Sequence, residues 1–383
     1  MRILNLLASG KTGGIEVLCQ NIMLKSKEDN RICCLFAEGE IYDKLKKEGK
    51  KVFSVTDLNG NVKKIVEELE KYCKKEKIDI VIVHHGGMKC NIIYLMLMKK
   101  LKDVKFIRYL HGCFDKYSFG NDGNFIKRFL VKKVMNKALK QSDLIIYISE
   151  AVKRSFENIF NIKNKNNKVI YNGIPDTFFD RKFTENKAEE KNNDNKYIQI
   201  SYVGRLAKLK GVDILLQAVA ELQDEIKKVR LNIVGEGEEE NNLKEEVKKL
   251  KIEKYVTFYG RKKDVIPILD KTDIFVYPSI CEEGLGISVI EAMARNCIII
   301  AFNKGGLPEI IDNDENGIIV KDVNSKDLSR AIKHIINIES NKKEEMKENA
   351  RKKAMKFNID NTIKEIEKSL VELKNGEEDG RKK

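Results

Sequence analysis

The sequence predicts an α/β protein made of two doubly wound domains, each with a parallel sheet. Three observations predict it. Short continuous apolar runs alternate with segments of helical spacing, as in a sheet covered on both faces. The alternation fills the first half of the chain and restarts near residue 197. Between the halves, TENKAEEKNNDNK (184–196) is polar and aperiodic, which reads as a solvated connection. A chain of 383 residues is long enough for two such cores.

The first half opens with the apolar strand RILNLLA (2–8), the Gly-rich turn GKTGG (10–14) and IEVLCQNIMLK (15–25) at helical spacing. RICCLFA (31–37) is a second buried strand. VKKIVEELEKYCKKEK (62–77) lines Ile65, Val66, Leu69 and Cys73 along one helix face and feeds the strand DIVIVH (79–84). A helix over 90–101, the strand KFIRYLH (105–111), a helix over 124–140 and the strand DLIIYIS (143–149) follow. The second half begins with YIQISYVG (197–204) as a strand and VDILLQAVAELQ (212–223) as a helix. RLNIVGEG (230–237) is a strand and turn, LKEEVKKLK (243–251) a helix, YVTFYG (255–260) and DIFVYPS (273–279) strands. A helix over 286–295 and the strand CIIIAF (297–302) complete the pattern. The expected boundaries are 1–178 and 179–355, with 356–383 as a C-terminal helix free to return to the first domain and a disordered tail after about 372. Two doubly wound domains are expected to face a cleft at the carboxyl ends of their strands.

Composition narrows the partners. The net charge is +14, and it is unevenly placed: residues 1–175 hold 34 Lys and Arg against 19 Asp and Glu, the remainder 39 against 40. A basic first half suits an anionic partner. No aromatic platform or recognition motif accompanies the charge, which argues against nucleic acid. The segment MRILNLLASGKTGG does not read as a secretory signal, because Gly and Lys interrupt its short apolar run. No apolar stretch is long enough to span a bilayer. The eight cysteines lack metal-ligand or disulfide spacing and read as reduced, mostly buried thiols.

Five features fall where a strand hands over to a loop or helix. GKTGGIE (10–16) opens the first helix, where Gly13 and Gly14 leave amides open to an anion. His111 ends the strand KFIRYLH; His84 and His85 end the strand before it. Such histidines handle protons and hydroxyls, or serve as hydrogen-bonded structural groups. VGRLAKLKG (203–211) carries Gly204, Arg205 and Lys210, two cations that suit a diphosphate. VGEG (234–237) adds a turn at Gly235. CEEGLGISVIEAMA (281–294) sets Glu283 before a Gly-rich turn and Glu291 in the first turn of an apolar helix, where a carboxylate needs something to bind. Asp312-Asn313-Asp314 has the spacing of a metal-binding D-x-D, but DNDENG is turn chemistry, and metal independence is expected.

The run from VGRLAKLKG through CEEGLGISVIEAMARNC to NKGGLPEIIDNDENGIIV resembles the C-terminal domain of the family 4 glycosyltransferases, retaining enzymes of GT-B fold. The N-terminal GG-x-E, the strand-end His111 and YNGIP (171–175) also resemble that family, and the likeness extends from residue 1 to about 355. It implies a nucleotide-sugar donor, UDP-linked by preference, held by the second domain with no cofactor. Glu283 would face the donor sugar, and Glu291 would accept hydrogen bonds from the ribose. The amides at Gly284, Leu285 and Gly286 would approach phosphates and sugar, and Gly260 and Arg261 would lie by the base. Arg205 and Lys210 would neutralise the departing diphosphate, and His111 would stand by the sugar. Glu16, His85 and Asn172 would serve the acceptor side, a glycan or a lipid-linked, phosphorylated acceptor of surface polysaccharide synthesis. The helix over 124–141 pairs Ile126, Leu130, Val134 and Ala138 with Lys127, Arg128, Lys132, Lys133, Lys137 and Lys140. It is expected either to lie on an anionic membrane or to bury its stripe in the core. A cytoplasmic protein peripheral to the inner face of the plasma membrane is the expectation. The alternatives are a sugar-nucleotide epimerase of the same fold and a basic nucleic-acid-binding protein.

Overall fold

The structure, a computed structural model, describes residues 1–84, 87–114, 125–160, 162, 166–180 and 197–380. Its contacts divide the chain into two units, Met1–Gly173 with Ile359–Lys383 and Ile174–Asn358.

The first unit is built on seven parallel strands, β1 (Arg2–Ser9), β2 (Asp29–Ala37), β3 (Val52–Ser54), β4 (Ile80–Val83), β5 (Lys105–Leu110), β6 (Leu144–Tyr147) and β7 (Asn167–Val169). Their order is β3-β2-β1-β4-β5-β6-β7. Direction reverses at β1, whose Ile3 pairs with Asn30 on one side and Ile80 on the other. Helices cover both faces, so β4 and β6 are buried at every position, which is why they read as unbroken runs of apolar and aromatic residues. Helix Val62–Lys75 starts where the Asn61 side chain accepts from the Lys64 amide and buries Ile65, Val66, Leu69 and Cys73. Helix Glu40–Lys47, helix Glu150–Phe160 and the three-residue edge strands β3 and β7 are additions to the sequence expectation.

The second unit repeats the plan with six parallel strands, β8 (Ile198–Val203), β9 (Val229–Val234), β10 (Val256–Phe258), β11 (Ile274–Tyr277), β12 (Ile298–Phe302) and β13 (Gly317–Val320). Their order is β10-β9-β8-β11-β12-β13, so direction reverses between β8 and β11. Arg295, fully buried, donates to Asp270 at 2.6 Å and to the carbonyls of Phe178 and Asp180, tying the entering chain to this unit.

The chain ends in the first unit. Helix Ile359–Gly380 buries Ile359, Ile363, Ile366 and Leu370. Lys25 pairs with Asp360 at 2.8 Å, Ser26 donates to Glu367 at 2.7 Å, and Thr362 donates to the Tyr171 carbonyl at 2.9 Å. The backbone stays helical to Gly380, well past the point where a disordered tail was expected. The turn Asp312–Asn316 behaves as turn chemistry dictates. Asp312 accepts from Lys353 at 2.9 Å, and Asp314 sits at φ +64°. All eight cysteines are free, six of them buried.

Candidate functional site

The ends of β8 and β11 mark the reversal point of the second sheet, the place where open α/β sheets bind ligands. Three loops meet there by backbone contact. A Cβ at Gly235 (φ +141°) would lie 1.8 Å from the Gly204 carbonyl oxygen, and one at Gly211 (φ +64°) 2.1 Å from that of Pro278. Any side chain at either position would push the loops apart.

Lys210 and Glu283 form the centre of this end. The Lys210 ammonium donates to Glu283 Oε1 at 2.6 Å and to the Tyr277 hydroxyl at 3.3 Å. Ser279 Oγ and Cys281 Sγ also donate to Glu283. Burial pulls the Lys210 pKa down, but the Glu283 carboxylate outweighs it and holds the group above the usual lysine value. Lys210 is therefore a fixed cation. Arg205, expected as its partner, is not brought to the same grip. Its side chain is 71% exposed and pairs with Glu238 at 3.0 Å, whereas that of Lys210 is 23% exposed.

The loop carrying Glu283 is clamped from below. The Gly305 amide donates to Glu282 at 2.7 Å, and the Gly306 amide to the Glu283 carbonyl at 2.8 Å. Leu285 anchors the loop in the core, and Gly286 (φ +92°) caps helix Ile287–Ala294. Glu291 therefore lies in the second turn of that helix, not in the first. It is half-buried on a helix whose other side chains are mostly buried and apolar, and burial pushes its carboxyl pKa up to about 8. A carboxyl held so far from its ordinary range in a ligand-binding end is a functional candidate on physical grounds. Gly260, at φ +64° with open space around it, accepts from the Gly235 amide at 3.0 Å, and Arg261 lies 3.5 Å from Glu236.

In the first unit the reversal point lies between β1 and β4. Helix Gly14–Lys25 begins here, but the anion is internal. Buried Glu16 folds back so that a Cβ on Gly13 would touch its Oε2 at 2.5 Å, and Ser9 Oγ donates to its other oxygen at 3.4 Å. At Gly13 the chain's own carboxylate thus meets the helix start, whereas Gly14 has open space around it. His111 meets His84, Nε2 to Nδ1, at 3.0 Å. Asn172 is buried and accepts from the Tyr109 hydroxyl at 3.0 Å. His85 lies outside the described residues.

Sequence reasoning missed Asn5, Tyr277 and Ser279 and did not single out His84. Of the two strand-end histidines it assigned His85 to the acceptor side, although their spacing gives no ground for preferring it to His84. Tyr277 and Ser279 carried only the weak signal of position at the end of an apolar run.

Among the described residues no helix is long and apolar enough to cross a membrane. Helix Phe125–Gln141 splits in two. Its second half buries Met135, Ala138 and Leu139, which corrects the expected stripe. Its first half exposes Phe125 (79%), Ile126, Phe129 and Leu130, four of the nine exposed large apolar residues among those described.

Comparison with known proteins agrees with this architecture. Residues 13–178 match the model of Glycosyltransferase Family 4, and residues 183–353 that of Glycosyl transferases group 1. An uncharacterized glycosyltransferase of Haemophilus influenzae is 29% identical over 340 residues, 88% of this chain and 89% of its own. The N-acetyl-alpha-D-glucosaminyl L-malate synthase of Bacillus anthracis is 26% identical over 67% of this chain and 64% of its own. Among solved structures, the Anabaena protein HepE in complex with UDP-glucose superposes with a TM-score of 0.82 at 21% identity, covering 97% of this chain and 99% of its own.

Proposed function

The chain belongs to the family 4-like glycosyltransferases of GT-B fold, and from that premise we propose that it transfers a sugar, with retention, from a UDP-sugar to a hydroxyl of a glycan or lipid-linked acceptor. The observation that carries this is the pairing of a fixed cation with a proton-hungry carboxyl at the ligand end of the second sheet. In this reading Lys210, held as a cation by Glu283, meets the donor's diphosphate, and Glu291 accepts from the ribose diol. The complexes of HepE with UDP and with UDP-glucose favour a uridine donor.

Transfer breaks the bond between the sugar's anomeric carbon and the diphosphate oxygen and makes one to the acceptor oxygen. Negative charge grows on the departing diphosphate, whose oxygen takes the acceptor's proton. A preorganised ammonium stabilises that charge more in the transition state than in the ground state. In this reading Glu283, which accepts from Lys210, Ser279 and Cys281, also accepts from the sugar's hydroxyls. We assign no resident metal. Arg205, exposed and paired with Glu238, adds a second cation in this reading only if it leaves that partner when the donor binds. Thermal-shift titration with UDP-, GDP- and ADP-sugars tests the donor class. A shift with UDP-sugars above the others is expected, and a folded protein that responds to no nucleotide contradicts the proposal.

Glu291 makes affinity pH-dependent. In the free protein its carboxyl holds a proton up to about pH 8. A ribose diol donates two hydrogen bonds and prefers the carboxylate, so binding lowers that pKa and expels the proton. UDP affinity should rise with pH, by at most about tenfold per unit, and level off above pH 8. The nucleotide's own phosphate also titrates. Glu291→Gln reports that contribution alone, and identical profiles for the two proteins would remove Glu291 from the ribose.

The first unit is proposed to face an anionic membrane through helix Phe125–Gln141. That helix carries six Lys and Arg, no acidic residue and an exposed apolar cluster at Phe125, Ile126, Phe129 and Leu130. Each basic residue near an anionic surface contributes about 1 kcal/mol. Replacing Phe125 and Phe129 together by Ser should weaken binding to anionic vesicles by roughly tenfold or more without changing UDP affinity. Unchanged sedimentation with vesicles would show that the cluster serves another contact.

A further inference from the structure

Tyr277 ends β11, Lys210 lies on the loop after β8, and the two stretches are bonded together. The Ile280 amide donates to the Leu209 carbonyl at 3.0 Å, and Gly211, next to Lys210, packs against the carbonyl of Pro278, next to Tyr277. The Tyr277 ring is buried between aromatic neighbours. Tyr202 on β8 stacks on it with centroids 6.2 Å apart and planes at 18°, and Phe275 with centroids 6.4 Å apart and planes at 13°. Tyr202 in turn donates to the Arg205 carbonyl at 2.9 Å, so the same aromatic layer grips the loop that carries Lys210. Close packing fixes such a ring, and its hydroxyl becomes a fixed point. There it meets Lys210 Nζ at 3.3 Å, with the ammonium 5.6 Å from the ring centroid. An ammonium only donates, so the tyrosine oxygen accepts. Glu283 and Ser288 face the same hydroxyl.

We propose that Tyr277 is a positioning residue that fixes the direction of the Lys210 ammonium, so that one of its N–H groups stays aimed at the donor's diphosphate. The diphosphate half of this rests on the transferase reading; the hold of Tyr277 on Lys210 does not. An ammonium has three N–H groups. Glu283 Oε1 takes one at 2.6 Å and the Tyr277 hydroxyl a second. Among the described residues Lys210 has no other hydrogen-bond partner, so the third N–H is left to a ligand or to water. Ser279 and Cys281 also hold Glu283 Oε1, which makes that oxygen a second fixed point. Bonds to two fixed points define where the third N–H points. With the hydroxyl removed, Lys210 pivots on Glu283 alone, and its charge is drawn onto the carboxylate. The ion pair then competes with the diphosphate as charge grows there, so the loss falls on the transition state. Tyr277 acts through Lys210 and touches neither reacting atom.

The test is a double-mutant cycle of Tyr277→Phe and Lys210→Met, read in turnover and in the lysine ammonium spectrum of the ¹⁵N-labelled full chain. Phe keeps the ring and removes only the hydroxyl. Tyr277→Phe should lower kcat about 5- to 20-fold with donor KM within about twofold of the parent. In the Lys210→Met background the same change should cost less than about twofold. A tyrosine that only supports the fold would lower kcat by equal factors in both backgrounds, and that result overturns the inference. The Lys210 ammonium is the signal that Lys210→Met removes. It should exchange slowly with water in the parent, and should shift and exchange faster in Tyr277→Phe. A signal unmoved by Tyr277→Phe also overturns the inference. Should that variant not fold, the parent spectrum decides: a Lys210 signal exchanging as fast as those of exposed lysines contradicts the hold. A signal that moves as expected in a chain that binds no nucleotide would uphold the hold of Tyr277 on Lys210 and sink the transferase reading instead.

Discussion

Replacing Lys210 by Met lowers the turnover of sugar transfer by about two to three orders of magnitude, the loss expected when one preorganised charge at a leaving group is removed, ~3–4 kcal/mol. The fall should appear in kcat more than in donor KM, because the charge it stabilises grows only as the anomeric bond breaks. The same change leaves Glu283, 12% exposed, without its 2.6 Å partner. An uncompensated carboxylate there is destabilising, so a lower melting temperature accompanies the loss of activity. The double variant Lys210→Met, Glu283→Gln separates the two effects. It should recover most of the stability and none of the activity. Recovery of activity along with stability would mean that Lys210 only holds the fold.

Glu291→Gln should make the protein more stable and worse at binding. The unfolded chain gives up this proton near the ordinary glutamate pKa, while the folded protein keeps it up to about 8. Between those values unfolding releases a proton, so the wild type loses stability as pH rises through the window. Gln does not titrate. Its advantage should be nil near pH 4, grow across the window by about 1.4 kcal/mol per pH unit and reach several kcal/mol at pH 8. Differential scanning calorimetry across that range reads it directly. UDP affinity should fall about 10- to 100-fold, as for a lost hydrogen-bond pair to a charged acceptor. A site kept at a cost in stability is what separates a ligand group from a structural one. A variant that is both less stable and equally tight would place Glu291 in the scaffold.

The sheet plan was legible because parallel strands buried on both faces leave unbroken apolar runs, as in β4, β6, β11 and β12. The edge strands β3 and β7 span three residues each and half expose them, too little to rise above a loop. Helix Phe125–Gln141 misled the periodicity argument for a physical reason. Apolar residues occur on more than one side of it, and only packing decides that Met135, Ala138 and Leu139 turn inward while Phe125 and Phe129 do not. Glu283 and Lys210 were found as separate strand-end residues; that they form one ion pair is a tertiary fact. Arg205 fails to join them because its loop turns it to Glu238. Likewise no spacing rule could show Glu16 folding onto its own helix start.

The central claim is that the second unit holds a nucleotide with Glu291 on its ribose. Titration calorimetry of UDP and 2′-deoxy-UDP against the wild type and Glu291→Gln, four affinities in one cycle, tests it most directly. The account predicts that losing the 2′-hydroxyl weakens binding to the wild type by about tenfold and scarcely affects the variant, a coupling of roughly 1 kcal/mol or more. Equal losses in both proteins, or no binding of UDP to either, would contradict it.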